Sequence, residues 1–423
     1  MKTILIFLIV FSVIVVVHEF GHYYFAKRAG ILVREFSIGM GPKLFSQQAE
    51  SGTTFTIRML PLGGYVRLAG MGEEADEVQP GMTAGLTLNE DSVVEAINTS
   101  SHSTNEELPL QVDEVDLSRE MFISGITLGQ DELVRFPVSK TANIIEPDGT
   151  FIPVAPIERT YERASVKSKI LTNIAGPINN FILAILTFMI VGFMIPGIPT
   201  GSNQIGDVIE NSSAQVAGLK GGDRIVEIDG HSVTNWNDLT SQIMQHPDET
   251  VAVVYERQGQ AHEVEVNIDA IFEDGSGQSY GQLGVTQSVD THLLSRLKYG
   301  FTQTWAVIVN VVGTIIAMLT RRVGLNQLGG PVAIAQITGQ VVQENSFVLL
   351  LQFVGMLSAN LGMMNLLPVP ALDGGKIVLN IIEGVRGKPL SQEKEGIITI
   401  IGVGLLLLLM IVVTWNDIMR LLR

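Results

Sequence analysis

The sequence His18-Glu19-Phe20-Gly21-His22 stands out because it lies in an otherwise apolar stretch near the start of the chain. Two histidines four residues apart fall on one face of a helix, so both imidazoles can bind the same zinc ion. The glutamate between them can act as general base for the water that attacks a peptide bond. We therefore predict a hydrolytic zinc site with His18 and His22 as ligands and Glu19 as the catalytic base.

The stretch that carries this motif is long enough to cross a membrane. Thr3–Ala26 has 24 residues, and its only charged or histidine side chains belong to the motif. At ~1.5 Å per residue it would form ~36 Å of helix, and ionisable groups at membrane depth usually have a function. A chance match to a short motif is one alternative. A cleaved signal peptide is another, although no small-residue cleavage site follows the stretch.

The composition limits the class of protein. A mean hydropathy of +0.33 with 17% charged residues indicates an integral membrane protein. The formal net charge of −16 argues against nucleic-acid binding, which needs a basic surface. Because the chain has no cysteine, any zinc ion must be held by histidine and carboxylate side chains.

Four further stretches of 19 or more residues lack charge: Ile170–Gly206, Tyr299–Thr320, Asn345–Leu372 and Gly396–Asn416. Lysines and arginines follow the first span, precede the second and lie between the last two stretches. The positive-inside tendency therefore places 30–169 and 376–395 in the cytoplasm. This orientation leaves no crossing for Tyr299–Thr320, which we predict to be an interfacial helix on the outer face. The count is then four transmembrane helices.

A candidate third zinc ligand lies near the predicted cytoplasmic end of the third span. The sequence there is Asn365-Leu366-Leu367-Pro368-Val369-Pro370-Ala371-Leu372-Asp373-Gly374-Gly375. Its two prolines end or kink the helix, and the predicted orientation puts Asp373 at the depth of the two histidines. Two histidines and one aspartate would leave one open position on a four-coordinate zinc ion. The alternative is that Asp373 only caps the following helix.

Together, the His18–His22 motif and the Asn365–Gly375 motif resemble the site-2 protease family of intramembrane zinc metalloproteases, of the bacterial RseP type. The long 70–163 segment and the single PDZ-like segment are more similar to the Gram-positive, RasP/Eep-like members. The resemblance implies that His18, His22 and Asp373 bind one catalytic zinc ion and that Glu19 is the base. It also implies that Asn360 and Asn365 hold the substrate backbone.

Three other segments have recognisable patterns. β-branched and aromatic residues on either side of the Leu60–Gly64 turn predict a hairpin near the zinc site, whose edge could hold an unwound substrate. The segment Gly72–Glu120 contains thirteen acidic residues and one basic residue. This composition predicts a solvated loop. Ser212–Gly230 resembles a PDZ core, and Gly281–Val285 its carboxylate-binding loop. That domain could bind cleaved C-termini or exclude intact ectodomains.

A further polar motif opens the second span, at Thr172–Asn180. Glycine and proline at this place favour close helix packing. We expect packing to explain this motif, with a hydrogen bond from Asn179 near the active site as the alternative.

We thus predict a polytopic α-helical membrane protein with four transmembrane helices, a membrane-associated β-hairpin and one extracytoplasmic PDZ domain. Its predicted parts are a first transmembrane helix (1–29), the β-hairpin region (30–71), an acidic cytoplasmic loop (72–164), a second transmembrane helix (165–200), the PDZ domain (201–290), extracytoplasmic interfacial helices (291–344), a third transmembrane helix (345–375), a cytoplasmic loop (376–395) and a fourth transmembrane helix (396–423).

The function that follows is hydrolysis of peptide bonds within single transmembrane segments. The family resemblance implies a multi-pass plasma-membrane protein with its active site near the cytoplasmic side. It also implies single-span substrates such as anti-sigma factors and signal-peptide remnants, trimmed first by an upstream site-1-type protease. The alternative is a non-catalytic membrane adaptor that binds peptide C-termini through its PDZ domain.

Overall fold

The computed structural model describes residues 2–71, 78–100, 107–127, 132–272, 279–322, 324 and 328–422. They form two compact units. One unit comprises Met1–Phe188 with Gln303–Arg423, and the other comprises Met189–Thr302. The first unit holds all the predicted zinc ligands.

The described residues form these helices: α1 (Lys2–Arg28), α2 (Val166–Met194), α3 (Ser213–Val216), α4 (Trp236–Met244), α5 (Leu293–Leu319), α6 (Pro331–Gln343), α7 (Phe347–Asn365), α8 (Asp373–Arg386) and α9 (Gln392–Leu421). Five helices in the described ranges are long and apolar enough to cross a membrane, namely α1, α2, α5, α7 and α9. Helix α5 covers the stretch predicted to be interfacial. The count of four crossings and the interfacial placement of α5 therefore remain predictions.

Helix α1 buries one stripe of its surface. The buried residues lie on one helix face: five of them recur every four residues, and one more is three residues after His18. They are Val10, Ile14, His18, Gly21, His22 and Ala26. Apolar residues such as Ile4, Leu5 and Ile9 are exposed on the rest of the helix. A helix that is apolar all round suits a lipid environment. The motif histidines therefore face protein, whereas the remaining surface suits lipid.

The third predicted span is shorter than 345–375. Helix α7 ends at Asn365, and the chain then turns with Ala371 at a positive φ of 77°. Pro368 and Pro370 explain the break, because proline lacks the N–H that continues a helix. The prediction of a loop at 376–395 is also wrong for residues 376–386, because they belong to α8 (Asp373–Arg386).

The predicted hairpin exists, but its turn is elsewhere. Strands β1 (Val33–Gln48) and β2 (Thr54–Leu68) pair, and the chain reverses between them at 49–53. The Leu60–Gly64 segment, predicted as the turn, lies inside β2. Gly39 explains the difference: it has a positive φ of 89°, and a Cβ there would lie 2.7 Å from the carbonyl oxygen of Leu60. A glycine at position 39 lets the two bent strands approach each other closely, so β2 continues through 60–64 instead of ending there.

Because the strands bend, two segments of the hairpin each pair with a neighbouring segment on both sides. Residues 54–57 pair with 45–48 and also with 35–38, and 35–38 pair in turn with 64–67. Two long strands therefore form a sheet four segments wide. Its distal part exposes large apolar side chains: Met40, Leu44, Phe45, Met59 and Leu60.

The predicted acidic loop 72–164 is wrong for the residues that the structure describes there. They form β3 (Thr83–Leu88), β4 (Val94–Asn98), β5 (Leu108–Asp116), β6 (Phe122–Thr127), β7 (Leu133–Ile145) and β8 (Phe151–Pro153). The sheet order is β4-β3-β5-β6-β7-β8, and β4 also pairs with β7. Five strands thus close into a small barrel.

An apolar interior explains why this acidic segment folds. Leu86, Ile97, Leu110, Ile123 and Ile144 have at most 1% of their surface exposed. In β5 the buried Leu110 and Val112 alternate with exposed positions, as in a half-buried strand. The acidic residues of this segment that the structure describes are exposed or half-buried. Their number therefore describes the surface of the barrel rather than a missing core.

The unit Met189–Thr302 occupies the place of the predicted PDZ domain. Its strands are β9 (Ile198–Pro199), β10 (Ile205–Val208), β11 (Arg224–Ile228), β12 (His231–Ser232), β13 (Thr250–Arg257), β14 (Gln260–Asn267), β15 (Asp269–Phe272), β16 (Ser279–Gln282), β17 (Val285–Gln287) and β18 (Val289–Asp290). The widest sheet has the order β12-β11-β13-β14. Ile225, Ile228, Leu239 and Val253 lie fully buried in its core.

One buried carboxylate in this unit accepts hydrogen bonds from two separate parts of the chain. Asp223 is 1% exposed and accepts hydrogen bonds from the Arg257 guanidinium at 2.7 and 2.8 Å and from the Lys220 backbone N–H at 2.7 Å. Burial alone would raise the pKa of Asp223, but these hydrogen bonds outweigh it and hold the pKa below its ordinary value. The folded unit therefore stabilises the ionised carboxylate.

We expect Asp223→Asn to lower the stability of this unit by about 2 kcal/mol, because it removes charged hydrogen bonds. The measurement is the temperature at which limited proteolysis begins in this unit of the full chain. In the wild type the contribution is complete above about pH 5 and is lost as the pH falls through the lowered pKa of Asp223. The exposed Glu263→Gln is the matched control, and equal thermal resistance of the two variants would contradict this account.

Candidate metal centre

Three predicted ligands from distant parts of the chain meet at one point. The Nε2 atoms of His18 and His22 lie 3.1 Å apart, and Oδ2 of Asp373 lies 3.1 and 3.4 Å from them. The two histidines are buried, and the Asp373 side chain is 13% exposed. Ligand atoms at ~2.0–2.2 Å from a tetrahedral zinc ion are about 3.3 Å from one another. The spacing of these three atoms therefore fits one zinc ion.

A hydrogen bond sets the proton position on His22. Its Nδ1 lies 2.8 Å from the carbonyl oxygen of Thr172 in α2. Because a carbonyl oxygen only accepts, Nδ1 must carry the proton, and Nε2 then presents its lone pair to the metal position. A ring nitrogen held in this way is the usual arrangement for a metal-binding histidine.

Asn180 plays the same part for His18. Its Nδ2 lies 3.2 Å from Nδ1 of His18, while its buried Oδ1 accepts no hydrogen bond from the described residues. The nitrogen and oxygen of an amide are assigned from such partners. Turning the amide lets Oδ1 accept the Nδ1 proton of His18, which frees Nε2 for a metal ion. Both histidines are thus oriented by α2.

The metal position exists only because two glycines let α1 and α2 come close. A Cβ on Gly176 of α2 would lie 2.5 Å from Nε2 of His22 and 2.7 Å from Nε2 of His18. A Cβ on Gly21 of α1 would meet the carbonyl oxygen of Ala175. Any side chain at Gly176 would therefore fill the space beside the two ligand nitrogens.

Asp373 opens α8 immediately after the broken segment 366–372. The preceding residue, Leu372, is the N-cap and makes no side-chain capping bond. Gly374 and Gly375 are buried, and a Cβ on either would meet backbone carbonyl groups of the broken segment. The alternative reading, in which Asp373 is the N-cap of α8, is therefore wrong. The turn packs against the first turn of α8 and directs the Asp373 carboxylate toward the histidines.

The other predicted residues lie on α1 and α7. Glu19 is half-buried on α1 between the two histidines, as the motif requires. Asn360 is exposed on α7, and Asn365 is its half-buried last residue. Their role in binding a substrate backbone remains a prediction.

Sequence reasoning missed three groups that shape the site. The Thr172 carbonyl, Gly176 and Asn180 all lie in the motif that was expected to serve mainly helix packing. Asn179 donates a hydrogen bond to the carbonyl oxygen of Val17, 3.0 Å away, whereas Asn180 contacts the ring of His18, a candidate zinc ligand. Only the polar character of this span signalled their importance.

We expect Gly176→Ala to weaken zinc binding at least about 10-fold, the lower end of losses for groups that orient metal ligands. The added methyl group would displace one or both ligand nitrogens. Zinc content of the purified full chain, measured by mass spectrometry during chelator competition, checks this expectation. Gly313→Ala in α5 is the control because a Cβ there meets nothing within 4 Å. Unchanged zinc affinity in Gly176→Ala would show that the metal position is elsewhere.

Comparison with known proteins places the chain in a family. The family model described as peptidase family M50 matches residues 6–409. "Probable protease eep" of Enterococcus faecalis is 46% identical over 424 residues, covering 99% of both chains. A "Putative zinc metalloprotease" of Lactococcus lactis is 43% identical over 435 residues, again covering 99% of both chains.

Among solved structures, the PDZ domain of the SdrC-like protein of Listeria monocytogenes matches 21% of this chain and 90% of its own, at 22% identity and a TM-score of 0.18. The PDZ assignment of 201–290 stays a prediction. The whole-chain matches agree with the motif pair and with the meeting of its three ligands in space. The chain therefore belongs to peptidase family M50, the site-2 protease family that its two motifs predicted.

Proposed function

We infer that this chain is a zinc-dependent endopeptidase that cleaves peptide bonds within transmembrane segments. The observation that carries this inference is the meeting of His18, His22 and Asp373 on one point. These residues come from opposite ends of the chain. Helix α1, which carries the two histidines, and helix α7, which precedes Asp373, are apolar enough to cross a membrane. Membership of family M50 supports the same activity.

The three ligand atoms would hold the zinc ion and leave one position open. When bound, zinc supplies a Lewis acid that polarises the scissile carbonyl and lowers the pKa of water. The protein holds its proposed ligands in place for this task, since the Thr172 carbonyl and the Asn180 amide orient the two imidazoles through hydrogen bonds. Such preorganisation avoids rearrangement during the reaction.

Glu19 is the residue that we assign to proton transfer. It lies one residue after His18 and three before His22, so its carboxylate is carried on the same part of α1 as the ligands. A carboxylate there can take the proton of the attacking water and pass it to the leaving amide nitrogen.

We further propose that the substrates are single transmembrane segments, such as anti-sigma factors and signal-peptide remnants, trimmed first by another protease. A transmembrane helix hides its own peptide bonds, so it must be unwound and held extended. The outer segments of the hairpin, 43–48 and 60–68, offer strand edges for this purpose. Asn360 and Asn365 are the proposed partners of the substrate backbone.

The expected orientation is also part of the proposal. The barrel formed by β3 to β7 and helix α8 would lie in the cytoplasm, and the unit Met189–Thr302 would lie outside. The basic residues beside the spans support this orientation. On the outer side the β-rich unit would exclude substrates that still carry a folded ectodomain.

The decisive variant is Glu19→Gln, which keeps the shape of the side chain but removes its basicity. We expect cleavage of a tagged single-span substrate that lacks its ectodomain to fall at least about 100-fold, the usual contribution of general acid–base catalysis. Zinc content should stay at the wild-type level, because Glu19 is not a ligand. Both quantities are measured on the purified chain in liposomes.

Two matched variants make this result specific. Glu256→Gln changes an exposed carboxylate on β13 and should leave cleavage unchanged. Asp373→Asn should lose zinc and cleavage together. Full cleavage by Glu19→Gln would refute the catalytic assignment and make a non-catalytic adaptor the leading account.

The orientation has its own test, made simple by the absence of cysteine from the chain. Single cysteines at exposed positions, Lys140→Cys in the barrel and Gln260→Cys in the β-rich unit, are treated with a membrane-impermeant maleimide on intact cells. We expect only Gln260→Cys to react, and Lys140→Cys to react once the membrane is permeabilised. The reverse labelling pattern would invert the proposed topology.

A further inference from the structure

A buried ion pair joins α2 to α8, the helix that begins at Asp373. Lys169 of α2 donates hydrogen bonds to both carboxylate oxygens of Glu383, at 2.8 and 2.9 Å. The two side chains are only 3% and 15% exposed. Lysine and glutamate are almost never buried unless they are paired. The pair therefore constrains how these two helices contact each other.

The Tyr161 hydroxyl makes a second bridge between the same helices. It accepts hydrogen bonds from Nδ2 of Asn173 in α2 at 2.7 Å and from Nδ2 of Asn380 in α8 at 2.9 Å. The ammonium group of Lys169 lies 5.5 Å from the centre of the Tyr161 ring, so the two bridges adjoin. Burial raises the pKa of Tyr161 to about 12, which keeps the hydroxyl protonated at neutral pH.

Stability alone is a weak reason for such a cluster. Removing a lysine and a glutamate from water costs several kcal/mol for each ion, and well-packed apolar side chains often stabilise a protein as much or more. What the cluster provides is a unique register. Sliding α8 along α2 would separate Lys169 from Glu383 and both amides from Tyr161, leaving buried polar groups without partners.

The register of α8 matters because its first residue is a zinc ligand. Asp373 and Asn380 lie on the same side of α8, two turns apart, and Glu383 is about 15 Å along the helix from Asp373. Zinc–ligand distances tolerate errors of only ~0.2 Å. A shift of α8 by one helical turn, about 5.4 Å, would remove Asp373 from the site completely.

Helix α2 is also the reference for the other two ligands. Its Thr172 carbonyl, next to Asn173, fixes His22, and its Asn180 fixes His18. The same helix therefore orients the two histidines through Thr172 and Asn180 and contacts α8 through Lys169. This arrangement connects all three ligands through a single rigid element.

We propose that the Lys169–Glu383 ion pair and the Tyr161 bridge are positioning groups, which fix α8 on α2 and so set Asp373 at its distance from His18 and His22. The inference rests on the proposed zinc site. It assigns a role in zinc binding to Glu383, about 15 Å along α8 from Asp373, and to Lys169 and Tyr161, which lie outside α8.

The test is zinc affinity, measured by chelator competition on the full chain in detergent. Glu383→Gln and Tyr161→Phe should each weaken zinc binding about 10- to 100-fold. Thermal unfolding of the zinc-free protein is measured in parallel. A role limited to stability would lower the unfolding temperature and leave zinc affinity of the folded protein unchanged. The exchanged pair Lys169→Glu with Glu383→Lys should recover affinity relative to Glu383→Gln.

Two controls separate the possible outcomes. Glu120→Gln removes an ion pair with Arg135 whose side chains are 65% and 57% exposed, and it should leave zinc affinity unchanged. If Asp373→Asn keeps full zinc affinity, the proposed zinc site itself is wrong. If Asp373→Asn loses zinc but Tyr161→Phe and Glu383→Gln bind it as tightly as the wild type, the positioning role is overturned. Tyr161→Phe removes only one oxygen, so it decides the matter if Glu383→Gln does not fold.

Discussion

The close contact between α1 and α2 is the constraint on which the metal site depends. Gly21 and Gly176 bring the two backbones together, and the ligand nitrogens of His18 and His22 occupy the space that a side chain at Gly176 would fill. In lipid, apolar side chains gain little by packing on each other, so helices associate through small residues and polar contacts. Glycine at these positions therefore serves packing and chemistry at once.

Several buried polar groups of α2 contribute to this arrangement. Thr172 and Asn180 orient the histidines, and Lys169 anchors α8, whose first residue completes the ligand set. Each group would be costly in an apolar environment without its partner. The cost itself enforces order, because few arrangements satisfy every group. Helix α2, which supplies none of the three proposed ligands, thus contacts both histidines and the helix that begins at Asp373.

The β-elements of the first unit extend this framework. The hairpin is attached to the barrel by an ion pair between Arg67 and Glu146 at 2.6 Å and by a hydrogen bond between Gln48 and Asn143 at 2.7 Å. The acidic turn between β7 and β8 thus contacts basic residues of the hairpin. The composition predicts a loop at this place because acidic residues dominate it, whereas each strand of the barrel contributes only a few buried apolar residues.

The sequence by itself determined the chemistry. Residue types and spacing predicted His18, Glu19 and His22 as site residues, because helical periodicity is a local property. The charge pattern around the spans added Asp373 as a candidate ligand. Only the tertiary structure decided which residues surround the candidate ligands and how the acidic segment folds. It showed that Gly176 makes room for the ligands, that Asn180 rather than Asn179 meets His18, and that the acidic segment closes into a barrel. These outcomes depend on contacts between residues far apart in the chain, and such contacts leave no periodic signal in a single sequence.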